Sequence, residues 1–363
     1  MEFGLSTDQK MMQESVERTL VRLAPLDRTR KAAETNAIAR DVWDGLVELG
    51  APAILIPEKH GGLDLNLLDA ALVSESLGRH VAPVPFVASC VMAPLALMQS
   101  GSPAQQSEWL PKLAGGKILA GVAISESVSG ARDGAGVTAS GGKLSGKSLF
   151  VIDSADADIF IVADKAGGLH LVDAKAEGVT RIVLETIDRT RSIGELQFDN
   201  AEAELLKDGK PQDALLEMRD AAWVMFAADT LGASQRMIEK AVEYSKERKQ
   251  FDRVIGSFQA VKHLCAEMAA ELEPCRSLVW YAAHAFDFIE SEASLTAAHA
   301  KAHTSEIGRF VARTATEVHG GMGFTDLLGL HYWFKRIGFD RQTLGGPERV
   351  RHDAALAQGW VGN

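Results

Sequence analysis

The sequence predicts an α+β multidomain protein: a helical segment, then a small antiparallel β-barrel or sandwich, then a helical bundle. Apolar residues recur at three-and-four spacing before about residue 115 and again after about residue 212, with short strand-like runs between. Turn signals at Gly141-Gly142, Gly167-Gly168, Glu177-Gly178 and Asp199-Asn200 separate several of those runs, with no helical segment intervening. The last third carries long amphipathic stretches at 215–248, 258–290 and 295–318. The expected domain limits are 1–115, 116–208 and 209–363.

Taken in order, Ser6 and Thr7 suit a helix cap ahead of Leu20, Leu23 and Leu26. Val42, Leu46, Val47 and Leu49 mark a second helix that Gly50 stops. Pro57, Gly61 and Gly62 make 51–62 a loop, 67–77 resumes the helical period, and two short helices are expected before Gly115. Strands are expected at 118–124, 143–152, 158–163, 169–172, 180–184 and 194–198. In the bundle, Pro274 predicts a kink or break, because proline lacks the N–H of the helical ladder.

At 363 residues, 46% apolar and 24% charged, the chain can fill a sizeable core. The net charge of −11 and the lack of a Lys/Arg run argue against nucleic-acid binding, which needs a basic stripe. Three cysteines (Cys90, Cys265, Cys275) are too few for a disulfide framework and lack zinc spacing. Residues 1–20 lack the apolar core of a signal peptide, and no apolar run is long enough to span a membrane, so a soluble cytoplasmic protein is expected. His299 and His303 share a helix face, but HAKAH lacks the glutamate of the zincin motif, and no metal site is expected.

Two segments suggest chemistry. From Arg248 through Gln250, Phe251, Ile255, Phe258 and Gln259, a helix ends in a basic, amide-rich loop and the next helix opens on an aromatic–glutamine pair. A guanidinium and an amide beside an exposed aromatic suit a pyrophosphate and a stacked heterocycle. Further on, Glu317-Val-His-Gly-Gly-Met-Gly-Phe-Thr325 places Gly320 and Gly321 where backbone or ligand could approach closely.

YSKERKQFDRVIGSFQAVKHLCAEM (244–268) resembles the flavin-binding signature of the acyl-CoA dehydrogenase family, and VHGGMGFT (318–325) resembles that family's second signature. The likeness extends over essentially the whole chain, through LVELGAPAILIPEKHGG (46–62), SESLGR (74–79), AISESVSG (123–130), DRTR (188–191) and AADTLGASQRMIEKAVEYSKER (227–248). It implies a helical domain, a middle β-barrel and a C-terminal four-helix bundle. It also implies FAD bound between subunits and α,β-desaturation of an acyl-CoA, with an electron-transferring flavoprotein as acceptor.

Carried over residue by residue, the resemblance places Arg248, Gln250, Phe251, Ile255, Phe258, Gln259, Gly320 and Gly321 on the ADP half of a neighbour's FAD. Glu317 stands where the family usually has glutamine. On the isoalloxazine side Ser125 keeps a hydroxyl and Ala131 has lost one, while Phe150 and Ile152 replace a tryptophan and a threonine. The family's two positions for the base that removes the α-proton align with Leu344 and Ala222, neither an acid. Asp220, Asp326 and Glu348 are the nearby carboxylates that could substitute.

The leading expectation is therefore a base-lacking subunit that pairs with a homologous catalytic subunit as a heterotetramer. The alternatives are a homotetrameric acyl-CoA dehydrogenase with a relocated carboxylate and a flavin-free scaffold homologue.

Overall fold

The computed structural model describes residues 4–35 and 37–361. In chain order the elements are α1 (Thr7–Leu23), α2 (Leu26–Thr35), α3 (Arg40–Glu48), α4 (Leu67–His80), α5 (Ala93–Ser100), α6 (Pro103–Ala114), β1 (Ala120–Ala123), α7 (Ser125–Ser129), β2 (Gly136–Ser140), β3 (Lys143–Ile152), β4 (Ile159–Ala163), β5 (Leu169–Asp173), β6 (Val179–Leu184), β7 (Ile193–Glu202) and β8 (Glu204–Leu205). There follow α8 (Pro211–Glu247), β9 (Lys249–Gln250), β10 (Arg253–Val254), α9 (Gln259–Phe288), α10 (Glu290–His319), α11 (Leu330–Gln342) and α12 (Pro347–Ala357). Over the described residues the chain packs into two units: Arg28–Ala70 with Pro83–Ala222, and Met1–Asp27 with Ala71–Ala82 and Trp223–Asn363.

The first unit is built on an eight-stranded sheet of order β6-β7-β3-β1-β4-β5-β8, with β2 added to β3. Alternation on β3 and β7 sends Leu144, Val151, Leu196 and Phe198 into one core with Phe160, Val162 and Val172. β2 and β3 are joined by the expected Gly141-Gly142 turn, both residues at positive φ (58° and 77°) between the paired Ser140 and Lys143. A two-residue hairpin turn of that hand matches the strand twist and favours glycine. One pairing departs from the antiparallel pattern: β1 runs parallel to β4, from Ala120 opposite Ile159 to Ala123 opposite Val162. The cause is the long return between them, through α7, β2 and β3, which no tight turn could replace.

Ahead of the sheet, Val87–Met92 winds as a π-helix whose six residues are all buried. Its Ser89 hydroxyl donates to the Ala120 carbonyl (3.2 Å) and accepts from the Ala120 amide (2.9 Å), fastening it to β1.

The second unit is a bundle. Leu231, Met237 and Ala241 of α8, Met268, Leu272 and Cys275 of α9, Val311 and Ala315 of α10, and Leu330, Trp333 and Ile337 of α11 form one core. At its centre the Arg336 guanidinium clasps Asp229 in two bonds of 2.9 and 2.8 Å, both side chains wholly buried. Lys301 is buried as well and donates its Nζ to the Asp340 carbonyl. The break expected at Pro274 is absent: α9 runs through it from Gln259 to Phe288. Loss of one ladder bond is outweighed by a helix whose buried face (Met268, Leu272, Cys275, Val279, Ala282) continues on both sides of the proline. At the N-terminus Ser6 caps α1 in a reciprocal capping box with Gln9, as its sequence position predicts.

Candidate functional site

The sequence-predicted residues fall into two clusters, one in each unit. In the sheet unit, β3 carries a bulge. Ser148 pairs with Leu196 and Val151 with Gly194, so Leu149 and Phe150 together oppose Glu195. The extra residue reverses the phase of the strand. Phe150 therefore turns outward, 46% exposed at φ +54°, while Val151 and Ile152 turn into the interior. Ser125, the first residue of α7, donates its hydroxyl to the Phe150 carbonyl (3.2 Å). Glu126 accepts from the Leu149 amide (2.5 Å) and the Ser148 hydroxyl (2.6 Å). Ser125 and Phe150 are thus joined through this bond. Ile152 is buried opposite Val122 and Ile193, and Ala131 is exposed.

In the bundle unit, α8 ends at Glu247 and the chain turns through the β9–β10 hairpin into α9. Its backbone is closed by the Ile255 amide donating to the Arg248 carbonyl (2.8 Å). Gln250 pairs with Arg253, leaving Phe251 and Asp252 as the turn, at φ +54° and +63°. Phe251 is 86% exposed and touches Phe258 edge-on (6.1 Å between ring centres). The Arg253 guanidinium lies over the other ring, 3.9 Å from the centre of Phe258. Sequence reading passed over Arg253, although its place two residues after an exposed aromatic was a usable signal. Arg248, Gln250 and Gln259 are exposed and Ile255 half-buried.

The second motif reaches this hairpin's base. His319 is buried, stacks on Tyr244 (4.7 Å) and donates its Nδ1 proton to the Ala315 carbonyl (2.7 Å). Burial pushes its pKa down, although the bond to the Ala315 carbonyl opposes that shift. The stack fixes Gly320 and Gly321 beside the end of α8. Gly320 caps α10 at φ 58°, ψ −142°, a conformation reserved for glycine, and a Cβ at either glycine would meet nothing within 4 Å. Glu317 is exposed on the last turn of α10. These features suit the ADP half of FAD: an apolar ring with little packing of its own, exposed basic and amide groups, and side-chain-free backbone facing open space.

The positions aligned with a base are apolar. Leu344 is 5% exposed at φ +55°, and its carbonyl accepts from the Trp223 indole Nε1 (3.0 Å). Ala222, on the part of α8 in the sheet unit, is fully buried. Asp220 is buried but ion-paired with Arg219 at 2.7 Å. Asp326 is 75% exposed beside His331 (3.5 Å), and Glu348 is 74% exposed beside Arg341 (3.3 Å). The backbone amide at the start of α12 and the nearby arginines hold the Glu348 carboxyl below its usual value. A proton-abstracting carboxylate works best dry, unpaired and raised in pKa. None of these three has that environment.

His299 and His303 both lie exposed on α10, and among the described residues no three His, Cys, Asp or Glu side chains gather as metal ligands. No described helix is long and apolar enough to cross a membrane.

Comparison with known proteins gives a consistent picture. The chain matches the family descriptions "Acyl-CoA dehydrogenase, N-terminal domain" over residues 6–117 and "Acyl-CoA dehydrogenase, C-terminal domain" over residues 217–356. It is 31% identical to acyl-CoA dehydrogenase IpdE2 of Mycolicibacterium smegmatis, over 96% of this chain and 98% of that one. Among solved structures it is similar to the ChsE4–ChsE5 complex from Mycobacterium tuberculosis (TM-score 0.90, 25% identity, 100% of both chains). It is also similar to the Tcur3481–Tcur3483 steroid ACAD (TM-score 0.88, 28% identity, 97% of this chain and 98% of that one).

Proposed function

The chain belongs to the acyl-CoA dehydrogenase family, and from that premise we propose that it is the base-lacking subunit of a heteromeric FAD-dependent dehydrogenase. The complex would desaturate an acyl-CoA thioester between its α and β carbons. The observation that carries this reading is Leu344: where the family's base aligns, an apolar side chain is buried and its backbone is tied to Trp223. The ADP-side residues, by contrast, are kept and turned outward.

FAD, when bound, supplies the acceptor for the β-hydride. Arg248 and Gln250 would hold its pyrophosphate, Phe251 and Ile255 would line its adenine, and Gly320 and Gly321 would let its backbone-facing edge approach. Phe258, Gln259 and Glu317 complete that half, Glu317 as an acceptor for a ribose hydroxyl. On the ring side Phe150 offers an aromatic cover. The Ser125 proton is engaged by the Phe150 carbonyl, so that hydroxyl would offer a bound flavin its lone pairs.

A heteromeric assembly is further supported by the two-component names of ChsE4–ChsE5 and Tcur3481–Tcur3483, and the latter's description as a steroid ACAD supports a bulky, steroid-derived acyl group. A cytoplasmic location and an electron-transferring flavoprotein as acceptor belong to the same proposal.

The test is the absorption spectrum of the protein purified alone and after co-expression with its homologous partner, read at the flavin bands near about 370 and 450 nm. A colourless chain that forms a yellow complex with one flavin per pair supports the reading. A chain yellow by itself and bleached by acyl-CoA contradicts it in favour of a self-sufficient enzyme, and absence of colour in both preparations favours a scaffold.

A further inference from the structure

A β-bulge leaves backbone groups without ladder partners, and those groups must be satisfied elsewhere if the bulge is to persist. In β3 the satisfying groups come from one short segment, Ser125–Glu126. The Leu149 amide goes to Glu126 Oε1, the Ser148 hydroxyl to Glu126 Oε2, and the Phe150 carbonyl receives the Ser125 hydroxyl. In an unbulged strand Phe150 would share a face with Leu144 of the sheet core and with the buried Ser148. Its outward position, at positive φ, is therefore held against both the strand's natural alternation and the steric preference of a bulky residue.

We propose that Glu126 is a positioning residue: by clamping the amide and hydroxyl that flank the bulge, it holds Phe150 outward as the aromatic cover of the flavin ring. The inference rests on the reading of Phe150 given above. It adds a residue that touches no cofactor and acts through the strand. Both carboxylate oxygens are used, so the clamp is specific. A carboxamide in the same place keeps one acceptor, for the Leu149 amide, and loses the second to its NH2 group. Shortening to alanine removes both.

Two measurements on the full chain test this. The first is amide exchange of the peptide covering residues 147–151, followed by mass spectrometry with no cofactor added. Glu126→Ala should accelerate exchange at Leu149 by about tenfold or more, Glu126→Gln by less, with α8–α11 unchanged, because a charge-assisted bond is lost from one locus. The second is flavin titration of the complex with its partner. Glu126→Ala should weaken uptake about tenfold and alter the flavin absorption envelope. The same substitution in a Phe150→Ala background should add almost nothing, since two residues acting through one contact are not additive.

Unchanged exchange at Leu149 would overturn the clamp, and additive losses would overturn its action through Phe150. A complex that takes up no flavin in any form would instead defeat the functional reading, while the exchange result still decides the clamp. If Glu126→Ala does not fold, Glu126→Gln gives the same comparison at smaller amplitude.

Discussion

Phe251 and Phe150 are both turned to solvent on left-handed backbone, at the same φ of +54°, yet the two regions achieve it by opposite means. Phe251 occupies a two-residue hairpin turn closed by pairs three and five positions apart, so its geometry is local. The same turn geometry is met at Gly141-Gly142, where glycine fills it without strain. Phe150 occupies a bulge whose partners lie 22 to 25 residues earlier in the chain, so its geometry is tertiary. Strain of either kind persists only where the surroundings over-determine it.

The comparison can be broken most severely at the scaffold of the hairpin. Asp229→Ala leaves Arg336 buried without its carboxylate, and the bundle should lose about 3–5 kcal/mol in urea unfolding. Replacing both partners with apolar residues of similar volume should restore most of that loss. The sheet unit has its own buried pair: Asp164 accepts from His170 (2.7 Å) and from the amides of Ala166 and Gly168. Burial alone would raise the Asp164 pKa, but the bonds from His170, Gly168 and Ala166 outweigh it and hold the carboxyl below its usual value. A depressed carboxylate stabilises the fold above its unfolded pKa, about 4, and loses that contribution as pH falls through the lower folded value. Asp164→Asn should flatten this acid limb of the melting temperature and leave the limb above pH 6 unchanged in slope.

Lys301 gives the bundle a slope of the same sign in the alkaline range. Burial pushes its ammonium pKa down, with Asp340 opposing and Arg341 assisting. The unfolded chain then binds the extra proton from neutral pH up to about 10.4, so stability should rise with pH across that range and stop rising in Lys301→Met. The smallest effect concerns the tips. Phe251→Asn with Asp252→Gly supplies the residues the turn prefers and should raise stability by about 0.5–1 kcal/mol while weakening flavin uptake.

What was legible in the sequence follows the same division. Regular period carried the long helices and most strands: β3 lies at residues 143–152 as read, and α8, α9 and α10 lie within a few residues of expectation. β2 was missed because Gly136-Val-Thr-Ala-Ser140 has one strongly apolar residue, and its pairing depends on the turn that follows. The π-helix and the parallel β1–β4 pair leave no distinctive pattern, since buried apolar runs read alike in either direction. At Pro274 a local rule was overridden by burial on both sides. In the candidate site, the hairpin aromatic and the glycines were readable because their chemistry is in their identity. The bulge was not, because nothing in Leu149-Phe150 announces an extra residue until Glu126 is brought to it.

The central claim is that this chain lends its hairpin to a flavin it does not itself employ. The most direct measurement is the flavin content of the purified heteromeric complex when Arg248→Ala and Phe251→Ala are placed in this chain alone. The account predicts loss of most of the flavin from a complex that still assembles, at two charge-assisted or stacking contacts of about 1–3 kcal/mol each. Full retention of flavin, with turnover unaltered, would contradict it.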